Sequence, residues 1–210
     1  MFDFSDLPFP VREDLKAAYR NIWSHFSEPG ATYDATQRSG ILHHARRRSG
    51  HAHPDQKAVP ASIAELARTL YADPGSVDEA LVRRAADDQG DPATVEAVSL
   101  VSMLAAVDGA HRALGLDLTQ LPDPLRGEAT GIVSEGLTRR RTHLPMPRGA
   151  IPSALDLVPQ EARVFQGSFG AQYMTDAEMA YDDFERSPGL NRAQMELISS
   201  RTSLLNECFY

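Results

Sequence analysis

The chain has 210 residues, of which 42% are hydrophobic and 24% charged, and this composition supports a packed core and excludes a chain that is disordered throughout. The formal net charge of −8 argues against a nucleic-acid partner, since nucleic-acid-binding surfaces carry a basic excess that neutralises phosphates. We find neither an apolar run of about 20 residues nor a signal-peptide pattern, and the single cysteine excludes an intrachain disulfide, so we expect a cytoplasmic protein with no membrane partner.

Apolar residues recur at helical spacing along nearly the whole chain, and alternating strand-like runs are almost absent. This periodicity predicts an all-α fold. In the N-terminal part, turn signals separate five predicted helices, at residues 11–26, 34–49, 60–71, 76–89 and 92–114. The last of these is the longest and the most apolar, so we expect it to be the buried central helix.

Residues 115–149 differ in composition from the segments around them. They contain four prolines, several glycines and the basic cluster Arg139, Arg140 and Arg141, which together predict an irregular connector with at most one short helix. The arginines could meet an anionic substrate or partner, although a solvated linker explains them more simply.

Helical periodicity resumes after the connector, with predicted helices at residues 151–158, 160–173, 175–185 and 192–205. The predicted organisation is therefore an N-terminal helical half at 1–116, a connector at 117–149 and a C-terminal helical half at 150–210.

The two halves share a pattern at an offset of 100 residues. Glu96 and Glu196 are each followed by small and apolar residues at helical spacing, and the twelfth position after each is Asp108 or Cys208. In the first half His111 follows three residues later. This pattern predicts an internal duplication, with two pseudo-repeated helical halves that each carry a glutamate helix leading into a short functional turn.

Residues 190–210 (LNRAQMELISSRTSLLNECFY) resemble the active-site helix of the alkylhydroperoxidase D-like proteins, in the carboxymuconolactone decarboxylase superfamily. In that family a glutamate is followed by a first cysteine, a second cysteine and a histidine, and this chain has only the first two elements, as Glu196 and Cys208. Residues 151–174 are similar to the helices that precede the motif in the longer, peroxidase-related members. Residues 96–116 resemble the degenerate first repeat of those members.

The resemblance implies an alkylhydroperoxidase D-like helical bundle with thiol-dependent peroxidase activity of the antioxidant, peroxiredoxin type. It implies that Cys208 is the nucleophile and that Glu196 belongs to the relay that removes the thiol proton. The implied substrate is a small-molecule peroxide. No bound cofactor is implied, an external dithiol is the expected reductant of the intact motif, and the chain is expected to form a homo-oligomer.

This chain lacks the second cysteine and the histidine of the family pattern, which leads us to expect incomplete chemistry. Without a second cysteine, a sulfenic acid at Cys208 has no resolving partner in the same chain. We therefore expect a chain truncated inside the motif and incomplete or inactive as it stands, with a C-terminal end that frays and an apolar face left uncovered. The second interpretation of the missing residues is a natural non-catalytic homologue.

Two other function classes remain open at this point. One is a carboxymuconolactone decarboxylase-like enzyme, in which Glu96, Asp108 and His111 would supply the acid and base groups, with a hydrogen bond between Asp108 and His111 orienting the imidazole. In the alkylhydroperoxidase D-like interpretation, the same three residues form the vestigial site of the first repeat. The other class is a non-catalytic, oligomerising helical protein that inherited the fold.

The histidine-rich segment at residues 43–53 invites a metal interpretation, which we do not favour. Three adjacent arginines, at positions 46–48, would repel a cation, and no acidic or cysteine ligand is spaced beside the histidines. The pattern is more typical of a helix end followed by a polar loop, so no metal site is predicted.

Overall fold

The computed structural model describes residues 2–46, 59–147, 153–175, 177–186 and 189–205. Over these residues the chain is all-helical, as predicted, with no β-strand. The α-helices are α1 (Glu13–Ser27), α2 (Ala35–Arg46), α3 (Ala61–Ala72), α4 (Glu79–Gln89), α5 (Asp91–Ala113), α6 (Pro159–Gln172) and α7 (Arg192–Leu205).

Helix α5 is the centre of the core and packs against α2, α3, α4 and α6. Apolar side chains along its length, including Val95, Leu100 and Leu104, are fully buried. Among the described residues, α5 is the one helix that would qualify as a membrane span by length and composition, but 67% of its apolar window is buried inside the protein. The predicted role of this segment as the central buried helix is confirmed.

Local capping interactions explain where two of the helices begin. Ahead of α2, Asp34 Oδ1 accepts from the Gln37 backbone N at 2.9 Å, and Gln37 Oε1 accepts from the Asp34 N at 3.0 Å. Asn191 and Gln194 make the same reciprocal pair ahead of α7, with both distances at 3.0 Å. Each pair satisfies backbone donors that a first helical turn leaves free, which explains why α7 begins at its predicted residue.

Two predicted helices of the C-terminal part are wrong. No residue described in 153–158 is α-helical: residues 154–157 form turns, and Leu155, Leu157 and Val158 are buried against the core. Within 175–185 the described residues hold only a short 3-10 helix, Glu178–Ala180. There the Thr175 N donates to Glu178 Oε2 at 2.7 Å, and Arg186 pairs with the same carboxylate, so side-chain bonds replace the predicted helical turns.

The connector is irregular, as predicted, yet it is bonded to the helical body. The Leu125 N donates to the carbonyl of Ser27, the last residue of α1, at 2.8 Å, and the Thr130 N donates to the carbonyl of Gly30, in the loop between α1 and α2, at 2.9 Å. Beyond the connector, α6 packs against α1 and α5 of the N-terminal half. The helices on either side of the connector therefore share one packed body, and the internal duplication stays a prediction.

Candidate functional site

Glu96 belongs to a buried cluster of charged side chains that joins four helices. Arg38 Nη1 on α2 donates to Glu96 Oε1 on α5 at 2.6 Å and to Glu161 Oε1 on α6 at 2.7 Å. His25 on α1 completes the cluster. The side chains of Arg38, Glu96 and Glu161 are 0% exposed and that of His25 is 3% exposed, so the cluster is sealed from solvent.

The His25 imidazole lies between a hydrogen-bond acceptor, the Glu161 carboxylate, and a hydrogen-bond donor, the Arg38 guanidinium. Its Nε2 is 2.9 Å from both carboxylate oxygens of Glu161 and 2.8 Å from Arg38 Nη2. A nitrogen that carries a hydrogen donates to Glu161, whereas one without it accepts from Arg38. Arg38 Nη2 has a second acceptor in the His25 carbonyl oxygen, at 3.2 Å. The position of one proton therefore decides between two hydrogen-bond arrangements.

The two glutamates of the cluster have pKa shifts of opposite sign. Burial raises the pKa of Glu161, but the hydrogen bond from His25 and the charge of Arg38 outweigh it and bring the pKa down to about 2. For Glu96 burial is the dominant cause and raises the pKa, although Arg38 and the Thr32 N, which donates to Glu96 Oε2 at 2.7 Å, oppose it. The shared arginine thus holds Glu161 as the carboxylate and stabilises Glu96 less completely.

Gly30 allows the α1–α2 loop to lie directly on this cluster. A Cβ at this position would lie 1.8 Å from Glu96 Oε1 and 2.2 Å from Arg38 Nη1, both far inside van der Waals contact. Only a residue without a side chain fits here unless the ion pair moves.

We expect Gly30→Ala to destabilise the fold by about 2–4 kcal/mol, because the methyl group must displace a buried ion pair or the loop. Gly109→Ala on α5 is the matched control, since a Cβ there meets nothing within 4 Å. That substitution should stabilise by about 0.5–1 kcal/mol, the usual gain from replacing glycine inside a helix. Urea unfolding of both variants measures the difference, and equal stabilities would contradict the close contact at Gly30.

Asp108 and His111 have separate partners among the described residues. Arg46 Nε and Nη2 donate to the two carboxylate oxygens of Asp108 at 2.9 and 2.6 Å, and the Tyr71 hydroxyl donates to the same group. His111 Nδ1 donates to the Val107 carbonyl at 2.9 Å. The expected bond between Asp108 and His111 is therefore replaced by these contacts.

Glu96 and Asp108 do not share a site. Twelve residues of helix separate them on α5, which corresponds to about 18 Å along the axis. The vestigial site predicted from Glu96, Asp108 and His111 is thus divided between the Arg38 cluster and the far end of α5.

Glu196 lies on α7, beside a large groove between α6 and α7. Tyr173 lines this groove and donates its hydroxyl hydrogen to Glu196 Oε2 at 2.6 Å, while Arg192 Nε is 3.5 Å from Oε1. Burial and the bond to Glu196 raise the pKa of Tyr173, so this phenol stays a proton donor. Cys208, the predicted nucleophile, lies outside the described residues.

The groove has a volume of about 1550 Å³ and a mainly apolar wall, formed by Phe165, Phe169, Met174, Met195 and Ile198 among others. Of α7 only Met195 is buried. The other apolar side chains of α7 are exposed, with Leu197 at 71%, Ile198 at 53%, Leu204 at 68% and Leu205 at 67%. This agrees with the apolar face that the sequence led us to expect on this helix.

The sequence interpretation missed His25, Arg38 and Glu161. A signal for two of them was present, because each occupies an apolar stripe of its own helix. Arg38 precedes the buried Ile41, Leu42 and Ala45 at spacings of three, four and seven residues. Glu161 precedes Val164 and Phe165, which pack against the core, at spacings of three and four residues. A charged residue on such a stripe is typical of a buried, paired group.

In the histidine-rich segment, His43 and His44 form part of the last turn of α2, while His51 and His53 lie outside the described residues. Scans against protein-family models and searches of the curated proteins and the solved structures find no match to this chain, so the family resemblance stays a prediction.

Proposed function

We propose that this chain is a thiol-dependent, peroxidase-related protein of the alkylhydroperoxidase type, with Cys208 as the nucleophile and Glu196 as the group that receives its proton, and that it is incomplete for disulfide turnover because these 210 residues hold no second cysteine. One observation supports the proposal above the others. Glu196 accepts a hydrogen bond from Tyr173, whose ring lines the large groove beside α7, the helix that leads toward Cys208. A proton acceptor is thereby held at the edge of a space that could admit a small molecule.

The proposed reaction has two stages, which are oxidation of Cys208 by a hydroperoxide and reduction of the product by a dithiol. The Cys208 thiol transfers its proton to the glutamate, and the thiolate sulfur attacks the terminal oxygen of a hydroperoxide. The O–O bond breaks, the alkoxide leaves as an alcohol after taking up a proton, and the sulfur is oxidised to a sulfenic acid. An external dithiol supplies the two electrons that return the sulfenic acid to the thiol, with release of water.

The groove accords with an organic hydroperoxide as the substrate class. Its wall combines aromatic and methionine side chains with the hydroxyls of Ser199 and Thr202. An alkyl or aryl group would lie on the apolar wall, and the peroxide oxygens would face the hydroxyls.

A second candidate is a non-catalytic helical protein that self-associates through α7. The exposed apolar residues of α7 favour it, because Leu197 and Leu204, and likewise Ile198 and Leu205, are seven residues apart and so lie on one face. A face of this kind is suited to packing against a helix of another subunit. The lactone chemistry has less support, since Glu96 is sealed beneath Arg38 and far from Asp108.

The proposal predicts that dilute peroxide converts Cys208 to a sulfenic acid much faster than it converts a free cysteine. Glu196→Gln should slow this conversion by about 100-fold, the usual contribution of a positioned base. Tyr173→Phe should slow it less, because the phenol orients Glu196 without receiving the proton. Intact-mass spectrometry in the presence of a sulfenic-acid trap measures the rates.

Three variants serve as controls. Cys208→Ser should abolish trapping, whereas Tyr181→Phe and Glu185→Gln, which alter an exposed tyrosine and an exposed glutamate of the neighbouring loop, should leave the rate unchanged. Trapping in the unsubstituted chain that is no faster than in a free thiol would contradict the peroxidase proposal and favour the self-associating protein.

A further inference from the structure

The N-terminal segment contributes two aromatic rings to a cluster formed by α1 and the C-terminal end of α5. Residues 2–9, here called the aromatic arm, have no helix or strand and lie ahead of α1. Phe2 is 6% exposed, and its ring centroid lies 5.0 Å from that of Trp23 and 5.7 Å from that of His111, both with edge-to-face geometry. Phe4 is 5.5 Å from His111 and 6.2 Å from Tyr19.

Both anchoring residues adopt a backbone conformation that phenylalanine rarely takes. Phe2 has φ of 55° and Phe4 has φ of 54°, in the left-handed region where a Cβ crowds the following carbonyl. The free energy gained from burying the two rings is therefore offset in part by backbone strain.

Hydrogen bonding does not tie the aromatic arm to the helices. The hydrogen bonds described for residues 2–9 all lie within the arm: the Leu7 N donates to the Phe4 carbonyl at 3.2 Å, and Ser5 donates to Asp3. The arm's base, by contrast, is fixed, because Arg12 Nη2 donates to the Ala171 carbonyl at 2.5 Å. Release of the arm would thus expose the apolar surface that Phe2 and Phe4 bury against the core, and it would break no hydrogen bond described between the arm and the helices.

The residues beneath the rings are held in place by partners outside the arm. Trp23 Nε1 donates to the Gln120 carbonyl at 2.8 Å, His111 Nδ1 donates to the Val107 carbonyl, and the Tyr19 hydroxyl accepts from Gln172 Nε2 at 3.2 Å. Each of the three side chains that face Phe2 and Phe4 therefore has a hydrogen bond that does not depend on the arm.

We propose that Tyr19, Trp23 and His111 form a recognition pocket for a peptide segment with two phenyl rings two residues apart, and that Phe2 and Phe4 of the aromatic arm are its releasable occupant. Edge-to-face contacts with three preorganised rings select for phenyl groups. The absence of hydrogen bonds from the described arm to the helices makes the occupant exchangeable with a segment of the same chemistry.

Trp23 is the only tryptophan of the chain, so its fluorescence reports directly on the pocket. In the full-length Phe2→Ala/Phe4→Ala variant, we expect unchanged helical circular dichroism and a severalfold increase in acrylamide quenching of Trp23. Adding a peptide of residues 2–10 should restore protection in a saturable manner, whereas the same peptide with both phenylalanines replaced by alanine should not. Phe9→Ala, which alters a 51% exposed ring of the same arm, is the matched control and should leave quenching unchanged.

Three outcomes would overturn the proposal. Unchanged quenching in the double variant would mean that the two rings do not cover Trp23. Increased quenching that the peptide fails to reverse would mean that the pocket does not recognise a free segment. Loss of the helical signal would mean that the arm is an obligatory part of the core.

Discussion

Arg38→Met is expected to lower the free energy of unfolding by about 3–5 kcal/mol, the usual result of removing one partner from a buried ion pair. The loss should be large because Arg38 serves two fully buried carboxylates, Glu96 and Glu161, and no solvent reaches either of them. Without the guanidinium Glu161 keeps only His25 as a partner and Glu96 keeps only the Thr32 backbone N, so two buried carboxylates lose their neutralising charge. Urea unfolding followed by circular dichroism gives the difference directly.

The exposed ion pair between Arg83 and Glu79 provides a control, because its N–O distance equals that of the buried pair between Arg38 and Glu96. Arg83 Nη2 lies 2.6 Å from Glu79 Oε1 on α4, the distance found between Arg38 and Glu96, but the two side chains are 50% and 60% exposed. Arg83→Met should have no measurable effect, since solvent screens an exposed pair. A comparable loss in both variants would show that removal of an arginine charge, and not burial, causes the effect.

Replacing the arginine together with both glutamates tests whether the ion pairs themselves stabilise the fold. Arg38→Met combined with Glu96→Met and Glu161→Met removes all three ion-paired side chains, leaves only His25 of the cluster, and approximately conserves the side-chain volume. This triple variant should recover part of the stability lost in Arg38→Met alone, because the desolvation cost disappears together with the pairing. A triple variant less stable than the single one would contradict this account of the cluster.

The opposite pKa shifts of Glu161 and Glu96 predict a stability profile with two phases. The pKa of Glu161 is lowered from 4.5 to about 2, so its stabilising contribution is present above pH 4.5 and is lost as the pH falls from there toward 2. That contribution is on the order of 3 kcal/mol. Glu96 has a raised pKa, so its ionisation opposes folding, and stability should rise as the pH falls through its folded pKa toward 4.5.

Urea midpoints measured between pH 7 and pH 2.5 separate the two phases. The difference in stability between the parent chain and Glu161→Gln should change with pH below pH 4.5. The difference between the parent chain and Glu96→Gln should change with pH above pH 4.5. Glu65→Gln, which alters a half-exposed glutamate on α3, should reproduce the parent profile apart from a constant offset. Coincidence of all three difference profiles would contradict unequal stabilisation by Arg38.

Much of the helical framework was predictable because its signals are local. The start of α7 follows from the reciprocal hydrogen bonds of Asn191, just before the helix, and Gln194, in its first turn. The central role of α5 follows from its length and apolar content. Local signals were misleading at residues 175–185, where periodicity predicted a helix. Thr175 and Arg186 instead bond to Glu178, and the described residues there form only a short 3-10 helix.

The candidate site was less predictable, because its groups are distant in sequence. Glu96 was singled out for its spacing to Asp108, yet its partner is Arg38, 58 residues away. Arg38 also binds Glu161, 123 residues away, and this pairing depends on α6 packing against α1 and α5.

The sequence by itself determined the all-α class, the irregular connector and the positions of most helices, since helix propensity, capping and apolar periodicity act over a few neighbouring residues. Only the tertiary structure decided which charges are buried together. Desolvation and ion pairing depend on the groups that packing brings within about 3 Å, and a linear pattern does not contain those distances.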